Sequence, residues 1–128
     1  KNGRVYSTDI CVPISNITEC VNFAEEQAKK FGLRAPMVGH LGDGNFHVIL
    51  PYDPAKKEMY DKIREFNDLL IKKGLELNGT ITGEHGVGLH KKKYLLEQHA
   101  DNIPVMKSIK RTLDANNIMN PGKIFDLN

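Results

Sequence analysis

Two histidines bracket a glycine-rich octet, His40-Leu41-Gly42-Asp43-Gly44-Asn45-Phe46-His47, and a Glu84-His85 pair sits in a second glycine-rich stretch, Gly83-Glu84-His85-Gly86-Val87-Gly88. Imidazole with carboxylate suits a borderline divalent ion such as Zn²⁺, Mn²⁺ or Fe²⁺, and three protein ligands with an open position is the catalytic arrangement. On one straight strand, at a rise of roughly 3.3 Å per residue, the rings of His40 and His47 would be about 20 Å or more apart. Asp43-Gly44, however, is a dipeptide that closes a two-residue hairpin, since glycine tolerates positive φ and aspartate tolerates it better than most. That turn pairs 41 with 46 and His40 with His47, whose Cβ atoms would be about 5 Å apart. Glu84 is the expected third ligand. His85 points elsewhere on an extended backbone, but flanking glycines permit a bend into the same cavity, so it is expected as a general base.

Other readings of these glycines fail on detail. Gly42-x-Gly44 has His47 where a dinucleotide fingerprint needs its third glycine, and residues 83–89 lack the Gly-Lys-Ser/Thr of a phosphate-binding loop. Asp43 is read as a turn-former ahead of a partner for an imidazole or a ligand. His90-Lys91-Lys92-Lys93 has no interleaved aromatics and reads as a solvated helix face, with attraction of an anionic substrate or cofactor as the alternative. His99 has no partner motif. From these residues alone a metal-dependent hydrolase, with His40, His47 and Glu84 activating water, stays open beside redox chemistry. So does a non-catalytic metal-binding or interaction module.

The elements that must position these residues follow from pattern. Residues 5–12 carry β-formers and end at Pro13, predicting a strand. Ile17, Val21, Ala24, Ala28 and Phe31 recur at helical spacing before Gly32, predicting a helix over 16–31. Asp53-Pro54 opens a second helix whose face runs Met59, Ile63, Phe66, Leu70 and which stops at Gly74. A short strand near 79–82, a helical stretch over 90–96 and a last helix over 103–116 complete the chain. Strands and helices mix without regular alternation, so the expected class is α+β, an antiparallel sheet with helices packed on it.

Composition bounds the rest. A chain of 128 residues, 40% hydrophobic and 27% charged, suffices for one packed core, and length predicts a single domain over 1–128. A net charge of +2 is too small to imply a nucleic-acid partner without a clustered face. Cys11 and Cys20 lack Cys-x-x-Cys spacing and read as buried thiols of a reducing compartment. No run approaches the ~20 apolar residues of a membrane span, and nothing resembles a cleaved signal. The start at Lys1, without methionine, predicts a piece of something longer.

Three stretches carry a resemblance. They are Gly39 to His47, the block Gly79-Thr80-Ile81-Thr82-Gly83-Glu84-His85-Gly86-Val87-Gly88, and the end Met119-Asn120-Pro121-Gly122-Lys123-Ile124-Phe125. In that order they resemble the C-terminal part of the FAD-linked oxidases, vanillyl-alcohol-oxidase-type flavoenzymes that include cytochrome-type D-lactate dehydrogenases, glycolate oxidases and D-2-hydroxyglutarate dehydrogenases. Thr8-Asp9-Ile10-Cys11-Val12-Pro13 resembles the D-lactate branch. The resemblance implies an FAD-binding domain upstream of Lys1, with this chain on the substrate side. It implies Zn²⁺ or Mn²⁺ on His40, His47 and Glu84, His85 as the base, and a contact of Asn120 with FAD. It implies oxidation of a D-2-hydroxy acid to the 2-oxo acid, with electrons passing to a quinone, cytochrome or other carrier. Ile49 stands where the hydroxyglutarate branch tends to carry asparagine, which favours D-lactate or glycolate. A homodimer is a further expectation, although the sequence does not give the oligomeric state. A bacterial cytoplasmic, inner-membrane-associated or mitochondrial setting fits the relatives.

Overall fold

In the computed structural model, which describes residues 3–127, the run of β-formers near the start becomes two strands, β1 (Arg4–Ser7) and β2 (Ile10–Cys11). Helix α1 covers Ile17–Phe31 and stops at Gly32, whose φ of 65° supplies the left-handed turn that ends a helix. Strands β3 (Met37–Val38) and β4 (Asn45–Tyr52) follow, then α2 (Lys57–Glu76), α3 (Lys92–His99) and α4 (Ile103–Leu113). The class is α+β with an antiparallel sheet, as expected. The chain divides into two compact units, Lys1–His85 and Gly86–Asn128.

In the first unit every strand pairs with β4, and every pairing is antiparallel. β1 lies against residues 49–52 and β2 against 45 and 46, in one continuous register along the same edge of β4. β3 takes the other edge, with Met37 opposite Val48 and Val38 opposite His47. Alternation along β4 therefore gives it two different faces. Phe46, Val48 and Leu50 are fully buried on the face shared with Ile10, while Asn45 and His47 are buried on the opposite face. The first face packs under α2, whose Ile63, Phe66, Leu70 and Ile71 are fully buried, and α1 packs beside α2 through Cys20, Ala24 and Ala28.

Three boundaries differ from expectation for physical reasons. Helix α2 runs through Gly74, because a side chain there would overlap the tip of Ile10, so this glycine permits close helix-to-sheet packing. Asp53-Pro54 forms a turn before the helix, with the Asp53 carboxylate accepting the Ala55 N–H at 3.0 Å. The expected strand near 79–82 is reduced to one bridge, in which the Thr80 N–H donates to the Cys11 carbonyl at 2.8 Å. Both cysteines are free, and burial pushes the Cys20 thiol up to about 11. Cys11 is half-buried, with its pKa raised by partial burial and by the nearby Asp9 and Asp43 carboxylates.

The second unit is held largely by polar ties. Lys92 donates to the Asp126 carboxylate at 2.6 Å and to the Gly122 carbonyl at 3.1 Å, so this lysine of the basic cluster closes onto the C-terminal segment rather than into solvent. Asp114 is buried, pairs with Lys110, and accepts the N–H groups of Ile118 and Met119 at 2.9 Å each.

Phe66 is fully buried at the centre of α2. Phe66→Ala is expected to lower stability by about 3–5 kcal/mol, as for other large core truncations. Urea denaturation checks this, and a loss below about 1 kcal/mol would contradict the packing described.

Candidate functional site

Between β1 and β2 the register continues but the ladder changes, and this interruption builds the site. The Thr8 N–H still donates to the Val48 carbonyl at 3.1 Å, but the Val48 N–H is taken by the Thr8 hydroxyl at 2.8 Å. The Thr8 carbonyl is thereby left for the side chain of His47, whose Nδ1 lies 3.0 Å away. A carbonyl only accepts, so Nδ1 carries a proton, and Nε2 is the nitrogen turned toward the loop.

Asp9 faces the same side as His47, and its side chain is almost wholly buried. Its Oδ2 accepts the Thr82 hydroxyl at 2.7 Å and the N–H groups of Gly83 and His85 at 3.0 Å each, and the Glu84 N–H lies 3.2 and 3.3 Å from its two oxygens. Charge-assisted bonds of this kind are roughly twice as strong as neutral ones. Gly83 is required at this approach, since a Cβ there would lie 2.5 Å from Asn45 Oδ1 and 2.8 Å from Asp9 Oδ1. The loop is thus drawn down onto the sheet, and Glu84 and His85 are delivered above His47.

The delivered geometry is compact. Glu84 Oε1 lies 3.0 Å from His47 Nε2 and 3.8 Å from His85 Nε2. The rings of His47 and His85 stack with centroids 4.7 Å apart and planes inclined by 2°. The side chains of Glu84 and His85 are each 48% exposed against 10% for His47, so the cluster has a buried floor and an open mouth.

This donor set can be tested against a divalent cation. With Nδ1 bonded to the Thr8 carbonyl, His47 Nε2 faces the Glu84 carboxylate at 3.0 Å. Such a pair needs a shared proton or a cation between them, and nitrogen with carboxylate oxygen is the set that Zn²⁺ and Mn²⁺ accept. Asp9, His47 and His85 also bring ligand atoms within 4.8 Å of one another. We favour His47 Nε2 with Glu84, because Asp9 Oδ1 faces His47 from the Nδ1 side at 3.7 Å, where the proton is held by Thr8, and Oδ2 is already occupied by the loop.

His40 does not meet His47 across a hairpin, and Val38 takes that place. The connection is not a two-residue turn at Asp43-Gly44. Residues Leu41–Asp43 form a 3₁₀ turn and only Gly44 adopts positive φ, 77°. The His40 carbonyl accepts the N–H groups of Asp43 at 2.8 Å and Asn45 at 3.3 Å. Gly39 lies so close to β4 that a Cβ would be 2.5 Å from the Phe46 Cα. His40 is exposed, outside the group that gathers ligand atoms. Asp43 is also exposed and serves the turn.

Asp9 is the residue that sequence reasoning missed, absorbed into a run of β-formers. Its signal was available, since an aspartate in mid-strand is disfavoured unless something pairs with it. In the second unit, Asn120 has φ of 49° and lines a cavity of about 110 Å³ with Lys110, Asn117 and Phe125. The buried Oδ1 of Asn117 has no hydrogen-bond partner among the described residues.

Comparison with known proteins adds an independent line. The family model "FAD linked oxidases, C-terminal domain" matches residues 1–124. The chain is 41% identical over 119 residues to the mitochondrial D-lactate dehydrogenase [cytochrome] of Arabidopsis thaliana, covering 92% of this chain and 21% of that protein. It is 38% identical over 118 residues to glycolate oxidase subunit GlcD of Bacillus subtilis, covering 91% and 25%. It thus spans about a quarter of the length of the relatives it matches. The solved structure of 4-ethylphenol oxidase from Gulosibacter chungangensis, in its isoeugenol complex, aligns with a TM-score of 0.64 at 21% identity, over 98% of this chain and 25% of that one, which shows a shared fold.

Gly83→Ala and Asp9→Ala each attack the latch between loop and sheet. Each is expected to lower stability by about 1–3 kcal/mol, through overpacking in one case and orphaned donors in the other. Amide exchange at residues 83–85 should rise in both. Unchanged exchange in Asp9→Ala would show that the loop is held by something else.

Proposed function

The chain belongs to the FAD-linked oxidases, as the C-terminal domain of that family, and from this premise we propose that the whole protein is an FAD-dependent dehydrogenase of D-2-hydroxy acids. In this reading the chain supplies the substrate-facing half of the active site. The observation that carries it is the convergence of His47 Nε2, the Glu84 carboxylate and the His85 ring on one open mouth.

FAD, bound mainly outside this chain, would supply the hydride acceptor that no side chain can provide. A divalent cation, Zn²⁺ or Mn²⁺, would be held by His47 and Glu84, with His40 as the third ligand, and would supply Lewis acidity toward the substrate hydroxyl. In the present structure His40 is exposed at the start of its 3₁₀ turn, outside the group that gathers ligand atoms. His85 takes the hydroxyl proton at Nε2, the ring nitrogen that faces the Glu84 carboxylate at 3.8 Å. Its stacking on His47 fixes the ring plane while leaving an edge open to substrate. His47 is kept in one tautomer by Thr8, and Asp9 holds the backbone of both Glu84 and His85.

Ile49 lies two residues beyond His47 on the same face of β4 and offers nothing to a second carboxylate. D-Lactate or glycolate is therefore the favoured substrate, and the product is the 2-oxo acid. Asn120 is proposed to contact FAD from its cavity, and a quinone or cytochrome to accept the electrons. A homodimer is part of the same proposal, as is a mitochondrial or bacterial cytoplasmic setting. No helix among the described residues is long and apolar enough to cross a membrane.

Anaerobic addition of D-lactate, glycolate and D-2-hydroxyglutarate to the full-length protein tests the reaction. Flavin bleaching by one of the first two is expected, and no bleaching by any of the three would overturn the assignment. His85→Ala should retain flavin yet bleach about 10²-fold or more slowly. Elemental analysis should show about one metal per chain, falling in His47→Ala and Glu84→Gln. Less than about a tenth of an equivalent in active enzyme removes the metal from the reaction.

A further inference from the structure

Helix α4 is mounted the wrong way round for a surface helix. At 100° per residue, Val105, Ile109 and Leu113 fall within an arc of roughly 80°, a continuous apolar stripe. A stripe of this kind normally faces a core. Here the three side chains are 60%, 55% and 74% exposed, and Ile103 is the only buried residue of the helix. What ties α4 to its own unit is the polar side: Lys110 bonds the Asp114 carboxylate and the Met119 carbonyl, and Arg111 donates to the Leu127 carbonyl.

The surrounding unit has the same imbalance. Of the twelve exposed large hydrophobic side chains among the described residues, eight follow His85, whereas only Tyr94, Leu95 and Ile103 are buried apolar side chains there. Exposed apolar surface concentrated in this way marks an interface.

We propose that the Val105–Ile109–Leu113 face of α4 is covered by the remainder of the same polypeptide, the larger portion that this chain's relatives carry and that would hold FAD. The proposal rests on the functional reading only in taking the whole protein to be such a longer flavoprotein. Two observations select this occupant over a second copy. The matched relatives are about four to five times as long as their aligned segment, which covers 21% and 25% of them. Three side chains of this size also expose on the order of 300 Å², short of the ~800 Å² per partner that a stable complex between free molecules requires. A partner on the same chain needs no such area, because linkage holds it at an effective concentration in the millimolar range.

Thiol labelling of the full-length protein tests the proposal. Ile109→Cys and Leu113→Cys are placed on the stripe and Ser108→Cys, exposed and off it, serves as the reference. Reaction with N-ethylmaleimide is followed by peptide mass spectrometry, which separates these sites from Cys11 and from the buried Cys20. The two stripe thiols are expected to react at least about tenfold more slowly than Ser108→Cys, as covered positions do, at every protein concentration. Equal rates overturn the proposal, and so does protection that disappears on dilution while the protein passes from dimer to monomer. Flavin absorbance in the same samples separates the two readings: a colourless protein with protected stripe thiols contradicts the flavoenzyme assignment and leaves the intrachain cover standing.

Discussion

The Asp9 carboxylate is the point on which the site depends. It is buried on the polar face of the sheet, and a buried carboxylate is costly unless its oxygens are satisfied. Thr82 and the N–H groups of residues 83–85 satisfy it. The same bonds fix the backbone of the loop that bears Glu84 and His85. The group that must be solvated by protein is therefore also the group that assembles the chemistry.

Thr8 complements this from the strand side. By offering its hydroxyl to Val48 it keeps the sheet's donors satisfied while releasing its carbonyl to His47. Two neighbouring residues thus interrupt an otherwise regular pairing, one to set the tautomer of an imidazole and the other to hold a loop. The opposite face of the same strands carries Phe46, Val48, Leu50 and Ile10 into the core under α2. Rigidity of the core is passed to the site through a single strand, β4, whose alternate residues serve packing and chemistry in turn. This division explains why His47 is the buried, fixed member of the cluster and His85 the exposed one.

Much of this was legible in the sequence because it is periodic. The α1 pattern from Ile17 to Gly32 and the α2 face of Ile63, Phe66 and Leu70 follow from helical spacing, which survives whatever the tertiary context does. The meeting of His47 with Glu84 and His85 was legible from residue chemistry. The failures came where tertiary contact overrode a local rule. Gly74 reads as a helix stop but is a contact point for Ile10. Asp43-Gly44 reads as a two-residue turn, yet Gly39 pressed against β4 and a 3₁₀ turn lengthen the connection, so His40 loses its place opposite His47. The partners of Asp9 could not be named from the sequence, because they lie more than seventy residues away.

The most direct test of the account is anomalous diffraction at the zinc edge from crystals of the full-length protein loaded with Zn²⁺. The predicted result is a single strong peak about 2.0–2.2 Å from His47 Nε2 and from a Glu84 carboxylate oxygen, with His47 Nδ1 still bonded to the Thr8 carbonyl and Asp9 still holding the loop. A peak on Asp9 and His47 Nδ1, or none at the cluster, would contradict it.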